Sequence, residues 1–287
     1  MPLVPTAELV ADASRRQRGI GAFNVITLEH AEAIAAGAEH AGLPAILQVS
    51  ENAVGFHGGR LDALAAACVA VAGASPAPLA LHLDHVVDGA LLRRAAAARF
   101  GSVMVDASRL PYAENIEVTR AAAEWGRQHG LWVEAELGEV GGKDGAHAPG
   151  VRTDPAEACD FVAATGVDGL AVAVGSSHAM TSRTAAIDHD LVRRLRDAVP
   201  VPLVLHGSSG VPDDELRRAV AAGMVKINVG TALNVAFTAA VRDQLDADPA
   251  VVDPRRYVAR ARDAMAAVVA DVLTVLDTPS RPSVGAP

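Results

Sequence analysis

Ten histidines are spread along the chain, and four of them, His82, His85, His178 and His206, each sit in or just after a short apolar run. Imidazole is a metal ligand and a proton carrier near neutral pH, and three imidazoles with an open fourth position form a catalytic zinc arrangement. Other reactive or polar side chains end such runs as well: Asn24, Ser50, Glu51, Asp84, Asp106, Ser108, Glu134, Glu136, Ser176, Ser177, Asn228 and Thr231. By contrast His30, His40, His129 and His189 fall in or beside helical stretches and read as surface residues. His57 and His147 lie in Gly-rich loops and read either way. His82 and His85 are three apart, so on an extended strand they face opposite sides and cannot both reach one ion without a bend. Asp84 shares the parity of His82, and His85 is chosen as the ligand because it closes its run beside the loop.

A second constellation is glycine-rich. His206-Gly207-Ser208-Ser209-Gly210 and Asn228-Val229-Gly230-Thr231 each follow an apolar run and precede a helical stretch. Small residues there expose backbone N–H groups, and a helix N-terminus favours anions, so the pair predicts a phosphate site. The plainer reading is two βα turns with Ser or Thr as helix caps.

Such residues need a frame that gathers the ends of the runs. Apolar runs at 21–25, 45–50, 79–83, 102–106, 132–137, 169–174, 202–205 and 225–229 alternate with helical patterns near 28–41, 61–72, 89–99, 113–130, 155–165, 190–198, 213–222 and 231–245; a last helix spans 256–276. The runs are continuously apolar, as in parallel strands covered on both faces. Eight βα units with right-handed crossovers predict an α/β fold, a (β/α)8 TIM barrel with an additional C-terminal helix; an open doubly wound sheet is the alternative. In such barrels the C-terminal strand ends are the working face, and the loops after strands seven and eight commonly bind phosphate. No linker interrupts the body, so 1–287 reads as a single domain whose Pro/Ser/Gly-rich tail, 278–287, is expected to be mobile.

Composition narrows the partners. The 287 residues are 3% aromatic with a net charge of -9, which disfavours stacking platforms and a broad phosphate-backbone footprint, so no nucleic-acid partner is expected. No apolar run reaches the roughly 20 residues of a membrane span, and the N-terminus lacks a signal-peptide progression. Cys68 and Cys159 are isolated, with no metal or disulfide spacing. A soluble, cytoplasmic protein without a membrane partner follows. Of 25 basic residues only Lys143 and Lys226 are lysine, which leaves few amines for imine chemistry.

In these residues the chain resembles the class II, metal-dependent ketose-bisphosphate aldolases, the group of fructose-bisphosphate and tagatose-bisphosphate aldolases. The similarity runs through Gly21-Ala22-Phe23-Asn24, Leu81-His82-Leu83-Asp84-His85, Gly101 to Ser108, Glu134-Ala135-Glu136-Leu137-Gly138 with Gly141-Gly142, Val174 to His178, Leu205 to Gly210 and Lys226 to Thr231. It implies that His85, His178 and His206 hold Zn2+, that Glu136 is an alternate metal ligand, and that Asp84 transfers the aldol hydroxyl proton. It implies too that Gly207, Ser208, Ser209, Asn228, Val229, Gly230 and Thr231 hold the phosphate and triose of dihydroxyacetone phosphate, with Asn24 and Ser50 beside them, that a monovalent cation (Na+ or K+) binds near the phosphate, and that the chain forms a homodimer or homotetramer. The implied activity is a lyase of carbohydrate metabolism and glycolysis, cleaving fructose 1,6-bisphosphate to dihydroxyacetone phosphate and glyceraldehyde 3-phosphate. Tagatose-1,6-bisphosphate or a deoxy-phosphogluconate is the alternative substrate. Two departures stand out: Ala179 replaces the usual glycine after the second zinc histidine, and the loop Lys143-Asp144-Gly145-Ala146-His147 differs from the usual acidic one.

Competing readings have distinct signatures. A Schiff-base aldolase would use Lys226, which otherwise snorkels or pairs with an acid such as Glu136. A non-catalytic sugar-phosphate binder would not need the three histidines with Asp84. An unrelated metal hydrolase fits the histidines but not the ordered match along the chain.

Overall fold

A computed structural model of the chain describes residues 3–137, 152–176 and 182–277. Its strands are β1 (Ile20–Asn24), β2 (Ala45–Ser50), β3 (Leu79–Val86), β4 (Ser102–Val105), β5 (Trp132–Glu136), β6 (Gly169–Ala171), β7 (Leu203–Leu205) and β8 (Met224–Val229). Each pairs in parallel with the next, and β8 pairs with β1, Ile20 opposite Lys226, to close the barrel. The open sheet is thereby excluded. The helices are α1 (Thr6–Arg15), α2 (Leu28–Ala41), α3 (Glu51–Phe56), α4 (Leu61–Ala74), α5 (Gly89–Leu92), α6 (Tyr112–Gln128), α7 (Pro155–Thr165), α8 (His189–Ala198), α9 (Asp213–Ala222), α10 (Thr231–Ala247) and the additional C-terminal α11 (Pro254–Asp277).

Strand parity sorts the side chains into two layers. Outward residues such as Leu47, Leu81, Val133 and Ile227 pack with the inner faces of the helices in one cluster. Inward residues Ile20, Ala22, Ile46, Ala80, Met104, Trp132, Ala171, Val204 and Val225 form a separate apolar plug. Leu9, Val10 and Ala13 of α1 complete that plug, so α1 is the floor of the barrel. Above the floor the inward positions turn polar, and the glutamine, histidines, carboxylates and lysine of the interior begin there.

Four departures from the sequence reading have local causes. Helix α1 went unpredicted although its buried Thr6, Leu9, Val10 and Ala13 follow helical spacing; it precedes the first βα unit, and no side-chain cap marks its start after Pro5. The segment after β2, read as a loop, begins with α3, whose first turn is held by Ser50 Oγ accepting from the Ala53 N–H at 3.2 Å. The helix predicted over 89–99 is α-helical only through Leu92. It then tightens into turns such as Arg94 N–H to Leu91 O and ends at Arg99, which has φ +66°. His30 is buried rather than on the surface: its ring lies on Phe237, and its Nδ1 accepts from the Thr27 N–H in a capping box that starts α2. No described helix is long and apolar enough to cross a membrane.

Close helix packing replaces the missing aromatics. A Cβ on Gly37 of α2 would lie 2.6 Å from Val269 Cβ and 2.7 Å from the Ala266 carbonyl of α11, and neither can yield. Gly37→Ala is therefore expected to cost about 1–3 kcal/mol by overpacking. Gly73→Ala in α4, which meets nothing within 4 Å, is expected to stabilise by about 0.5–1 kcal/mol through helix propensity. Urea midpoints of the two variants that moved in the same direction would refute this account of the α2–α11 contact.

Candidate functional site

The mouth of the barrel is built on β3, which is longer than the sequence suggested and irregular at its end. Its register with β4 shifts between Leu83 and Val86, and His85 adopts φ +49°. A left-handed conformation costs a non-glycine residue about 1–3 kcal/mol. Here it supplies the bend that parity requires. Asp84 stays inward with His82, and His85, one residue on, swings its ring over the same mouth instead of the outer face.

His82 and His85 consequently have different lives. His82 is fully buried, its Nδ1 donating at 2.7 Å to Ser102 Oγ, which donates to Thr6 Oγ1. Burial and the nearby Lys226 push its pKa down, so it is neutral. His85 retains 27% side-chain exposure, and its Nδ1 lies 2.8 Å from Asp106 Oδ2. His206, at the end of β7, directs Nε2 to Glu134 Oε1 at 2.8 Å. A carboxylate can only accept, so each pairing assigns the proton to the nitrogen that faces it and leaves the other as a lone pair. Those remaining nitrogens, His85 Nε2 and His206 Nδ1, face each other at 3.1 Å. Two lone pairs hold that approach only around a proton or a cation.

Electrostatics favour a cation there. Burial alone would push His85 down, but Asp84, the hydrogen bond to Asp106 and Glu136 hold it up at about 10. Burial would raise Asp84, yet His85, His82, His206 and Lys226 keep it well below the usual carboxylate range. Two overlapping sets of ligand atoms, Asp84/His85/His206 and His85/Asp106/Glu136, each lie within 4.8 Å of one another. Imidazole and carboxylate donors whose far sides are already hydrogen-bonded fit a borderline divalent ion such as zinc.

Beside the imidazoles opens a cavity of about 220 Å³, lined by Asn24, Gln48, Ser50, Asn52, Asp84, His85, Gly207, Ser209, Asn228, Gly230, Thr231 and Asn234. Gly207 has φ +67°, which turns the chain into the one-turn helix Ser208–Gly210. A Cβ on Gly230 would meet Asn24 Nδ2 at 2.9 Å, so both loops need glycine. Among the sequence candidates, Ser208 and Val229 do not line the cavity. The Ser208 hydroxyl donates to the Asn228 carbonyl, and Val229 packs in the outer apolar layer. His178, Ser177 and Ala179, the 141–147 loop with Lys143 and Asp144, and the tail 278–287 lie outside the described residues.

Sequence reasoning missed Gln48, which donates to Asn24 Oδ1 at 2.8 Å and to Asp84 Oδ2 at 3.0 Å. An amide two residues before Ser50 in the run Ala-Ile-Leu-Gln-Val-Ser shared the parity of the site and was the available signal. It also mispaired Lys226. Its partner is Glu134, at 2.9 Å, rather than Glu136. Both glutamates point inward, but Lys226 enters the barrel at the level of Glu134, below the mouth. His57 is tied to the Ile26 carbonyl at 2.7 Å and takes a structural role.

Residues 4–281 match the family model of class-II fructose-bisphosphate aldolase. A fructose-bisphosphate aldolase of Geobacillus stearothermophilus is 39% identical over 272 residues, which are 94% of this chain and 95% of that protein. The crystal structure of the YdjI aldolase from Escherichia coli K12 superposes with a TM-score of 0.82 at 30% identity over 96% of this chain and 97% of that one. A fructose-1,6-biphosphate aldolase structure from Coccidioides immitis gives 0.83 at 29% identity, covering 95% and 96%.

A divalent ion entering between the two imidazoles must displace the proton that His85 holds up to about 10. Below that pH the metal-free site is protonated and the loaded site is not. Metal affinity is therefore expected to rise with pH from 6 to 9, with proton release on loading. Zinc titrations in buffers of differing ionisation enthalpy check this; an affinity that fell with pH would contradict it.

Proposed function

This chain belongs to the class-II fructose-bisphosphate aldolase family, and from that premise we propose that it performs reversible, zinc-dependent cleavage of fructose 1,6-bisphosphate to dihydroxyacetone phosphate and glyceraldehyde 3-phosphate. It is a lyase. The observation that carries the metal assignment is the pair of carboxylate-held imidazoles, His85 and His206, facing each other at 3.1 Å. His178 is assigned as the third ligand and Glu136 as an alternate one. Bound there, zinc supplies a Lewis acid that stabilises negative charge on the ketone oxygen as C3–C4 breaks.

The protein's own groups do the rest. Asp84 is ionised at neutral pH, and the hydrogen bond from Gln48 fixes its Oδ2. It accepts the C4 hydroxyl proton in cleavage and returns it in condensation. Backbone N–H groups of Gly207, Ser209, Gly230 and Thr231, at the starts of two helical turns, hold the C1 phosphate, with no lysine or arginine among the described residues that line the cavity. Asn24, Ser50 and Asn228 orient the triose hydroxyls, and a sodium or potassium ion beside the phosphate offsets its charge. Lys226 is not the nucleophile of this reaction: it is fully buried and ion-paired below the cavity. We read 1–287 as one aldolase domain, acting in the cytoplasm as a homodimer or homotetramer in glycolysis.

His178→Ala is expected to lose bound zinc and turnover together, by at least about 10³-fold in kcat, on the scale at which a missing charge stabiliser acts. Metal analysis and a coupled cleavage assay on fructose and tagatose bisphosphates check it. Full turnover in a zinc-free variant, or trapping of substrate on Lys226 by borohydride, would reject the assignment.

A further inference from the structure

Resting on the zinc reading above, we propose that Lys226 is a positioning residue that fixes which polar atoms of the mouth face the substrate and the metal. An ammonium has three N–H donors. Within the buried interior it donates to Asn228 Oδ1 at 2.7 Å and Gln48 Oε1 at 3.1 Å, and it ion-pairs with Glu134 Oε2 at 2.9 Å. Each contact decides the other end of a two-ended group. With Oε1 of Gln48 taken, its Nε2 turns to Asn24 and to Asp84, the proton-transfer residue. With Oδ1 of Asn228 taken, its Nδ2 is left beside His206 Nε2 at 3.0 Å, the nitrogen that donates to Glu134. With Oε2 of Glu134 taken, Oε1 is left to accept from His206 Nε2, which assigns the lone pair of Nδ1 to the metal side.

The two ends of a side-chain amide are nearly identical in shape, so packing alone does not choose between them. Without a cation to mark the carbonyl end, Gln48 can turn its oxygen toward Asp84, acceptor against acceptor. Lys226 does not itself line the cavity, but it hydrogen-bonds Gln48 and Asn228, which do, and it pairs with Glu134, which holds His206. It acts through these three partners.

The test compares Lys226→Met, Glu134→Gln/Lys226→Met and Gln48→Leu with the parent enzyme. Zinc affinity by chelator competition, the absorption spectrum of the cobalt-substituted protein, melting temperature, kcat and KM are read for each. Lys226→Met is expected to bind zinc about 10–100-fold more weakly, the usual cost of a lost outer partner, and to show an altered cobalt spectrum. Because it strands Glu134 as a buried charge and risks unfolding, the double variant removes both charges while keeping an oxygen for His206. It is expected to melt near the parent and recover most zinc affinity. Its kcat remains about 10²-fold low, the penalty of misplaced groups, with KM little changed. Gln48→Leu, which strands no charge, is expected to lower kcat without moving zinc affinity. Parental kcat and cobalt spectrum in a well-folded double variant, or parental kcat in Gln48→Leu, would overturn the proposal. A parent that neither binds zinc nor responds to chelators fails the metal reading instead, and the kcat of the double variant then still decides the orienting role.

Discussion

Charge balance around one buried ion pair, Lys226 and Glu134, underlies the polar interior of this barrel. Moving a lone carboxylate or ammonium out of water costs several kcal/mol even after relaxation, and a pair repays it only when its remaining hydrogen bonds are filled. Here most are: the ammonium donates to Gln48 and Asn228 and ion-pairs with Glu134 Oε2 at 2.9 Å, while Glu134 Oε1 accepts from His206. Burial would raise the Glu134 carboxyl, but Lys226 and the His206 hydrogen bond bring it down to about 2. A carboxylate kept ionised at that depth holds His206, and Lys226 in turn helps keep Asp84 ionised one layer higher. Above the pair the sign reverses: Asp84, Asp106 and Glu136 surround His85, and the mouth carries surplus negative charge that a cation satisfies.

The pair can sit there because the barrel interior is layered. Small and aliphatic side chains, plugged by α1, fill the floor. Their dryness strengthens each polar interaction directly above them. Period-2 alternation then repeats the pattern on β2, β3 and β5: Ile46 below Gln48 below Ser50, Ala80 below His82 below Asp84, Trp132 below Glu134 below Glu136. A one-residue slip of any strand would drive its polar set into the outer apolar layer, so the hydrophobic pattern that closes the barrel also fixes the height of each reactive group.

This explains which parts of the site were legible in the sequence. Residues whose position follows from parity and from the end of an apolar run, Asp84, His206, Asn228 and the two glycine loops, were found and lie together at the mouth. His85 was chosen for its place beside the loop, but the left-handed turn that makes the choice work belongs to the backbone, and no residue type announces it. Gln48 and the partner of Lys226 were missed for the opposite reason. Each polar residue inside an apolar run looks like an isolated exception, and its purpose appears only when three strands set these exceptions at one height. Helix α1 escaped because it stands outside the βα repeat; Thr6, Leu9, Val10 and Ala13 carry helical spacing, but covering the floor is a tertiary task that the repeat does not announce.

The same argument bears on why the buried cation is a lysine in a chain whose 25 basic residues include only two. Arginine suits the surface, where its planar fork reaches carboxylates in pairs, as Arg255 does with Asp253. At position 226 the acceptors come from three different strands, β2, β5 and β8, and converge on one atom. A compact ammonium with three diverging N–H bonds satisfies that convergence. A guanidinium would bring five donors in one plane to the same place and leave some of them buried without acceptors, each costing about 1–3 kcal/mol. Phosphate, by contrast, needs no cationic side chain where glycine loops present their amides. An acidic, lysine-poor composition is thus compatible with an anionic substrate, because backbone amides of the glycine loops rather than cationic side chains would meet it.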